Sequence, residues 1–344
     1  MAKVLVTGGC GYIGSHTLVE LIAAGHHPIS IDDNSRSSES ILAGVEKITG
    51  ERVRNYRIDL RNAPLTEAVF AENRDAIAVI HFAAFKTVPE SVAKPLLYYD
   101  NNINSLLTVL VGTDKYRIPY FIFSSSCAVY GNSSELPVTE DTPFGEAECP
   151  YARTKQMGEH IIRDFSNASK AGFVSLRYFN PVGAHPSGEI GEKPCGEPDN
   201  LVPRITRTAI GRLPELVVHG NDYDTRDGTC IRDYIHVSDI ARAHALAIDY
   251  MQKSTAQRPE PGVQTLNLGS GTGTTVLEAI RAFEQATGRR LNYRVGPRRP
   301  GDTAAVYADN RRAEAILGWR PERGIGEMMK TAWQWELSLS AMGK

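Results

Sequence analysis

Short apolar runs alternate with longer amphipathic stretches along the first half of the chain. The runs with the length and residue types of strands are KVLVT (3–7), HPISI (27–31), RVRNYRI (52–58), AIAVIHFA (76–83), PYFIFSSS (119–126) and FVSLRYF (173–179). The segments between them are long enough for helices, and another helix is predicted to start near Tyr151. Strands that alternate with helices and are apolar on both faces are typical of a parallel sheet. The pattern therefore predicts an α/β fold with a doubly wound, mostly parallel sheet.

The pattern changes after about residue 180. Residues 180–200 are rich in Gly and Pro and predict a long loop, and loops of that length in compact domains are usually functional or disordered. The later predicted elements are shorter and of mixed type. We therefore predict a sheet domain over residues 1–180 and a smaller mixed α/β substrate lobe over residues 181–344. The lobe is expected to interleave with the last strands of the sheet.

Composition and charge exclude several classes of protein. The chain has 344 residues and a formal net charge of −2, so no overall field favours nucleic acid or an anionic membrane. No stretch approaches the roughly 18 consecutive apolar residues of a membrane-spanning helix. The cysteines are scattered without metal-ligand spacing and are Cys10, Cys127, Cys149, Cys195 and Cys230. They predict reduced thiols, a cytoplasmic location and no bound metal.

A glycine-rich turn follows the first predicted strand. The stretch VTGGCGYIGSH places glycines at 8, 9, 11 and 14 and then opens a helix. Glycines allow the backbone to turn tightly and to approach a diphosphate, which the N–H groups at the helix N-terminus then bind. An ordinary glycine-rich turn is the alternative. The position between a first strand and a helix favours a Rossmann-type dinucleotide site over residues 1–180.

Carboxylates follow the second and third predicted strands. Asp32 lies 18 residues after Gly14, where a carboxylate binds the ribose hydroxyls of adenosine and repels a 2′-phosphate. This favours NAD over NADP, although Arg36 argues the other way, and Asp33 could share the role. Asp59 could accept a hydrogen bond from the adenine amino group, or it could be a helix N-cap.

The fifth predicted strand ends in Ser124, Ser125 and Ser126, at the sheet edge where α/β folds bind ligands. Tyr151 and Lys155 follow on a predicted helix, four residues apart and therefore on one face. A free phenol has a pKa of about 10, but a nearby ammonium group favours the phenolate. Tyr151 then becomes a base that can take a proton from a substrate hydroxyl while hydride leaves the same carbon. A surface Tyr and Lys are the alternative.

These motifs resemble the extended branch of the short-chain dehydrogenase/reductase family and, within it, the 4-epimerases of UDP-hexoses. The resemblance extends over almost the whole chain and rests on VLVTGGCGYIGSHT, VIHFAAFKTVPESVAKPLLYYDNN, FIFSSSCAVYG, SLRYFNPVGAHPSGEIGE, GNDYDTRDGTCIRDYIHVSDIA and NLGSGTG. It implies NAD-dependent, reversible inversion of the C4 hydroxyl of a UDP-hexose through a 4-keto intermediate. It also implies a homodimer formed through helices near 94–114 and 151–170.

The resemblance assigns roles residue by residue. Ser126, Tyr151 and Lys155 would be catalytic. The cofactor would contact Gly8, Gly11, Tyr12, Ile13, Gly14, Asp32, Asp33, Asp59, Leu60, Phe82, Ala83, Lys86, Asn101, Ser124, Tyr151, Lys155 and Phe179. The UDP-hexose would contact Ser126, Tyr151, Asn180, Asn200, Leu201, Val218, His219, Arg232, Arg299, Asp302 and Val306. The family often has an aromatic ring near His219 and a bulky tyrosine at Val306, and the valine leaves more room around the C2 substituent of the sugar.

Other functions remain open at this stage. A dehydratase on this scaffold would carry an Asp-Glu pair soon after the strand-five hydroxyl, whereas this chain reads SSSCAVYG. A decarboxylase or a glucuronate epimerase is not excluded by spacing. A non-catalytic, NAD-sensing protein commonly loses the tyrosine or the lysine, and this chain has both. Plain and N-acetylated UDP-hexoses are both candidate substrates.

Overall fold

The computed structural model describes residues 2–194, 196–254, 262–299 and 302–342. Its strands are β1 (Lys3–Thr7), β2 (His27–Ile31), β3 (Asn55–Tyr56), β4 (Ala78–His81), β5 (Tyr120–Ser126), β6 (Gly172–Tyr178), β7 (Asn180–Val182), β8 (Leu216–His219), β9 (Ile231–Arg232), β10 (Tyr234–His236), β11 (Val263–Leu268), β12 (Thr274–Thr275), β13 (Tyr293–Gly296) and β14 (Ala305–Val306). Its helices are α1 (Tyr12–Ala23), α2 (Ile41–Thr49), α3 (Ala63–Glu72), α4 (Val88–Ala93), α5 (Pro95–Lys115), α6 (Pro150–Ala168), α7 (Leu201–Ala209), α8 (Val237–Ser254), α9 (Val276–Thr287), α10 (Arg311–Leu317) and α11 (Ile325–Met342).

Seven parallel strands form the central sheet, in the order β11-β6-β5-β4-β1-β2-β3. The strand order reverses between β1 and β4, because the chain first builds outward through β2 and β3 and then continues on the other side of β1. In such sheets the crevice at the carboxyl ends of the strands, at this reversal, is the usual ligand site. The predicted α/β fold with a doubly wound parallel sheet is confirmed.

Helices cover both faces of the sheet. Leu18 of α1 and Ile248 of α8 share one buried apolar cluster with Ile122 of β5. Leu106 of α5 and Ile162 of α6 share another cluster on the opposite face with residues of β4 and β5. Alternating side chains of β5 enter the two clusters, as expected for a strand buried on both faces.

A smaller lobe stands at the carboxyl edge of the sheet. It contains three small sheets, formed by β10 with β7, by β12, β9 and β14, and by β13 with β8. Its core lies among α7, α9 and α11, with Ile205, Phe283 and Trp333 buried or nearly so. Between segments of this lobe the chain returns to the large sheet as α8 and β11. The expected smaller lobe of mixed α/β structure is present.

Two local predictions need correction. The strand predicted over 52–58 is only Asn55–Tyr56, because it lies at the sheet edge and pairs with β2 alone. The loop predicted over 180–200 begins with a short strand, β7, which pairs in parallel with β10.

Across the described ranges no helix is long and apolar enough to cross a membrane. Cys10, Cys127, Cys149 and Cys230 are free thiols, and Cys195 lies outside the described residues.

Candidate active site

One cleft of about 1740 Å³ lies at the carboxyl edge of the sheet, between the sheet and the smaller lobe. Every residue assigned from the sequence to cofactor, catalysis or substrate lines this cleft. The motifs that are distant in the chain are therefore brought together in space.

The glycine turn after β1 fits a diphosphate. Gly8 has φ +71°, and a Cβ there would lie 2.9 Å from the backbone N of Ala83. A Cβ on Gly14 would lie 2.2 Å from the Gly8 carbonyl oxygen, so α1 packs directly on the turn. Gly11 is the N-cap of α1 and supplies no side-chain hydrogen bond to the helix. The N–H groups of the first turn are thus left for an anion, which supports the dinucleotide interpretation.

Asp32 is buried at the end of β2 and is fixed by main-chain and hydroxyl donors. Its Oδ2 accepts from Cys10 N at 3.0 Å, and its Oδ1 accepts from Asn34 N at 2.9 Å and Ser37 Oγ at 2.7 Å. Burial raises the pKa of this carboxyl group, and these hydrogen bonds oppose the rise. Arg36, the residue that argued for NADP, donates to Glu90 at 2.8 Å and lies over the Phe85 ring. The Asp32 carboxylate therefore sets the charge at the predicted ribose site, because the Arg36 guanidinium is held by other partners.

The next residues predicted to contact the cofactor come after strands β3 and β4. Asp59 is not a helix N-cap, because Asn62 caps α3 by accepting from Leu65 N. Instead Asp59 pairs with Arg61 at 2.6 Å, and hydrogen bonds from Arg61 lower the pKa of the carboxyl group. Both Asp59 and Leu60 line the cleft, together with Phe82, Ala83 and Asn101.

Lys86 lines this part of the cleft and makes a contact with Glu192 that the sequence does not predict. Its Nζ donates to Glu192 Oε1 at 3.0 Å and lies 5.9 Å from the centre of the Tyr12 ring. Glu192 belongs to the Gly- and Pro-rich segment after β7. Nothing local in the sequence signals this pair, because 106 positions separate its members.

The catalytic candidates meet where β5 ends and α6 begins. Pro150 opens α6, and the Cys149 sulfur accepts from Ala152 N at 3.5 Å as its cap. This start directs Tyr151 toward β5, where Ser126 lies near enough to the phenol to lower its pKa. Lys155, one turn further along α6, donates from Nζ to the Ser124 carbonyl at 2.6 Å. The serine run, the tyrosine and the lysine are therefore in one cluster, as predicted.

The electrostatics of the cluster differ from the expectation in one respect. Burial raises the pKa of Tyr151 well above its ordinary value, with the Ser126 hydrogen bond opposing the rise. Burial lowers the pKa of Lys155 to about 8. Lys155 Nζ lies 5.9 Å from the centre of the Tyr151 ring. Desolvation thus outweighs the lysine in the protein alone, and phenolate formation requires further positive charge in the cleft.

The substrate candidates line the lobe side of the cleft. The buried Oδ1 of Asn180 has no hydrogen-bond partner within the described part of the chain, so it can serve a ligand. Arg232 donates to the Thr303 carbonyl at 2.7 Å and approaches Asp302 at 3.4 Å. Val306 is the parallel-strand neighbour of Arg232 and packs on a cluster that contains Phe179.

The remaining substrate candidates are placed by short segments of the lobe. Asn200 and Leu201 begin α7, and the Asn200 side chain makes no capping bond to the helix. Val218 and His219 end β8, and His219 Nδ1 lies 3.3 Å from the Pro297 carbonyl oxygen. Arg299 is exposed at the rim. Amide, guanidinium and helix N-terminal N–H groups together suit a nucleoside diphosphate.

Comparison with known proteins agrees with this geometry. A profile described as the NAD dependent epimerase/dehydratase family matches residues 4–269. A protein named UDP-glucose 4-epimerase from Bacillus subtilis (strain 168) is 47% identical over 336 residues, which cover 97% of each chain. A crystal structure of UDP-glucose 4-epimerase from Bifidobacterium longum with NAD+ and UDP has a TM-score of 0.92 and 48% identity, covering 98% of both chains.

A second solved structure is equally close in fold. UDP-glucose-4-epimerase from Stenotrophomonas maltophila, with bound NAD and formylated UDP-arabinopyranose, has a TM-score of 0.95 and 42% identity. The match covers 99% of this chain and 100% of that chain. With its sheet, its glycine turn and its Ser-Tyr-Lys cluster, this chain belongs to the NAD dependent epimerase/dehydratase family.

Proposed function

We propose that this protein interconverts UDP-galactose and UDP-glucose by NAD-dependent inversion at C4 of the hexose. The observation that carries the proposal is the single cleft, in which the Tyr151–Ser126 pair lies between the glycine turn and Arg232. Relatives named UDP-glucose 4-epimerase that span 97% of this chain support the same activity. The family is also known for dehydration, but the turn Cys127–Tyr130 after Ser126 carries no carboxylate for that chemistry.

Residues 1–180 hold the cofactor. The glycine turn and the start of α1 receive the diphosphate, and Asp32 with Asp33 receive the adenosine ribose. When bound, NAD supplies a hydride acceptor for C4 and a positive charge beside Tyr151. The remaining contacts are those with Ile13, Asp59, Leu60, Phe82, Ala83, Lys86, Asn101, Ser124 and Phe179, all of which line the cleft.

Tyr151 moves the proton. Its phenolate oxygen takes the proton of the C4 hydroxyl group, and the Ser126 hydroxyl orients the same substrate oxygen. Lys155 supplies positive charge from one turn along α6. Loss of this proton together with the C4 hydride gives a 4-keto sugar, which stays attached to UDP and turns its other face to the cofactor site. The hydride returns to C4 on that face, and Tyr151 returns the proton to the C4 oxygen. Inversion thus needs a single base that serves both faces of the sugar.

The sugar must be free to turn, so binding groups belong on the UDP. Asn180, Arg232, Arg299 and the first turn of α7 are placed to bind the diphosphate. Val218, His219 and Asp302 extend the contact toward the nucleoside. Binding energy placed on these non-reacting parts holds the substrate without fixing the ring. Val306, which is small for this position, leaves room for an N-acetyl group at C2.

Two further assignments complete the proposal. Residues 1–180 form the NAD-binding domain and residues 181–344 the UDP-sugar lobe, with α8 and β11 returned to the sheet. A cytoplasmic location is supported by the free thiols of the four described cysteines.

We also propose a homodimer that pairs α5 and α6 with the same helices of a second copy. Leu96 and Val111 on α5 are 80% and 65% exposed, and Met157 of α6 lines a shallow depression with Leu96 and Ile103. An exposed apolar face of this kind marks a protein interface. Light scattering should give twice the chain mass, and Leu96→Asp should shift it toward the monomer.

The direct test is incubation of the holoenzyme with UDP-galactose. We expect UDP-glucose to form until the two sugars reach equilibrium, without net accumulation of NADH. Product that lacks water relative to UDP-galactose would instead indicate a dehydratase, and release of carbon dioxide from UDP-glucuronate in a parallel incubation would indicate a decarboxylase. Binding of NAD without any turnover of a UDP-hexose would overturn the proposal.

A further inference from the structure

Three ionisable side chains are buried side by side beneath the catalytic cluster. Lys155, Glu159 and Arg177 are 5%, 4% and 3% exposed. Charges are costly to bury unless they are paired and hydrogen-bonded, so such a group indicates a specific arrangement. Lys155 already belongs to the proposed site, whereas Glu159 and Arg177 have no role in it so far.

Glu159 is held by donors from two strands. Arg177 on β6 donates from Nε to Oε1 at 2.9 Å and from Nη2 to Oε2 at 2.7 Å, a bidentate pair. Ser125 on β5 donates to the same Oε1 at 2.5 Å. Ser125 and Arg177 are register partners in the sheet, so both donors come from one point of it. The Glu159 carboxylate therefore links α6 to β5 and β6 and fixes the position of the helix along these strands.

Lys155 makes the second contact that links α6 to β5. Its Nζ donates to the Ser124 carbonyl, one residue before Ser125. Tyr151, Lys155 and Glu159 follow each other at intervals of four along α6 and so lie on one helix face. Two adjacent contacts with β5 fix both the height and the rotation of the helix. Tyr151, one turn closer to the helix start, is thereby directed to Ser126.

Glu159 also opposes the loss of charge on Lys155. Burial lowers the pKa of Lys155 to about 8, and the Glu159 carboxylate raises it against that trend. The other groups that face Lys155 are the Tyr151 phenol, the Phe123 ring of β5 and His81 of β4. Burial lowers the pKa of His81 to about 3, so this histidine is neutral. Arg177 pairs with Glu159 and would repel Lys155 if the carboxylate were lost.

We propose that Glu159, held by Arg177 and Ser125, is a positioning residue that keeps the Lys155 ammonium group in place and charged for Tyr151. The proposal rests on the proposed function, because it gives Lys155 its task. A purely structural role for the ion pair would affect stability and leave the pH dependence of turnover unchanged. The two roles are therefore separable by experiment.

The test uses the pH profile of the holoenzyme with UDP-galactose. In Glu159→Gln the charge is lost while the side chain keeps its shape. We expect the alkaline limb of kcat to move down by about one pH unit, since a nearby opposite charge shifts a pKa by at least that much. The near-ultraviolet absorbance of ionised tyrosine, taken as the difference from Tyr151→Phe, should move to higher pH.

A double variant distinguishes charge from packing. Glu159→Gln with Arg177→Gln removes the repelling guanidinium as well, so the limb should return part of the way toward the wild type. Glu336→Gln is the matched control, because Glu336 is an equally buried carboxylate that pairs with Arg212 away from the cleft. It should lower the melting temperature and leave the limb in place.

The outcomes decide between the two roles. If Glu159→Gln does not fold, Glu159→Asp draws the charge one methylene away from Lys155, and a smaller downward shift is expected. An alkaline limb at the wild-type pH in the folded variants, with only a lower melting temperature, would overturn the inference. Failure of the proposed function is distinct, because the wild-type holoenzyme would then not convert UDP-galactose to UDP-glucose at any pH.

Discussion

The cofactor end of the cleft is formed by main chain packed on main chain, whereas the UDP end is formed by long side chains that reach in from the lobe. At Gly14 there is no space for a Cβ beside the Gly8 carbonyl, so no other residue fits the turn. At the other end Arg299 is exposed and the Asn180 Oδ1 lacks a partner among the described residues. The first end suits a group that remains bound, and the second suits one that is exchanged in every turnover.

The largest effect is expected at the rigid end. Gly14→Ala places a Cβ 2.2 Å from the Gly8 carbonyl oxygen, so the turn must shift and the diphosphate site with it. We expect loss of bound NAD, measured as nucleotide released on denaturation, and a destabilisation of roughly 1–3 kcal/mol. Gly324→Ala is the control, because a Cβ at Gly324 meets no atom within 4 Å. Full NAD content in Gly14→Ala would show that the turn is not rigid.

At the UDP end of the cleft the expected effect is smaller, and only the affinity for UDP should fall. Arg232→Met removes a half-buried guanidinium, and hydrogen bonds to charged groups contribute about 1.5–3 kcal/mol, or roughly 10- to 100-fold in affinity. Calorimetry with UDP should show this loss while NAD content stays at the wild-type value. Arg298→Met serves as control, since Arg298 is exposed and pairs with Asp222. Simultaneous loss of NAD would remove the distinction between the two ends.

A third change alters selectivity alone. Val306→Tyr fills the space beside Phe179 and Arg232, where the C2 substituent of the sugar is proposed to lie. We expect kcat/KM for UDP-N-acetylglucosamine to fall about 10-fold relative to UDP-glucose. Equal losses for both sugars would mean that this position does not limit the size of the substituent.

The smallest effect at neutral pH concerns His16, whose contribution appears only in acid and lies at the cofactor end. His16 of α1 is buried, and burial lowers its pKa to about 3, from about 6.5 in an unfolded chain. Between those values the unfolded chain binds more protons, so the free energy of unfolding falls as pH drops below about 6.5. His16→Gln should reduce that slope by up to roughly 1.4 kcal/mol per pH unit, measured by urea unfolding. An unchanged slope would contradict this account of His16.

The sequence predicts the two ends of the cleft unequally. The glycine turn and Tyr151 with Lys155 are local patterns, and the strands before them follow from apolar runs with observed bounds close to those predicted. Arg232 and Arg299 carry no local signal, since each alone resembles a surface arginine, and resemblance to a family was needed to find them.

The buried ion pair between Glu159 and Arg177 is not among the features predicted from the sequence, although the sequence contains signals for it. Arg177 interrupts an apolar strand, which requires a buried partner, and Glu159 continues the spacing of Tyr151 and Lys155 along α6. Only the pairing of β5 with β6 identifies the partner, because it places Ser125 beside Arg177.

The most direct measurement of the central claim is turnover of UDP-galactose by Tyr151→Phe, with UDP affinity measured on the same preparation. We expect kcat to fall by at least about 100-fold, the contribution of a positioned base, while UDP binds as in the wild type. Wild-type turnover in this variant would show that another group moves the C4 proton and would contradict the assignment of the cluster.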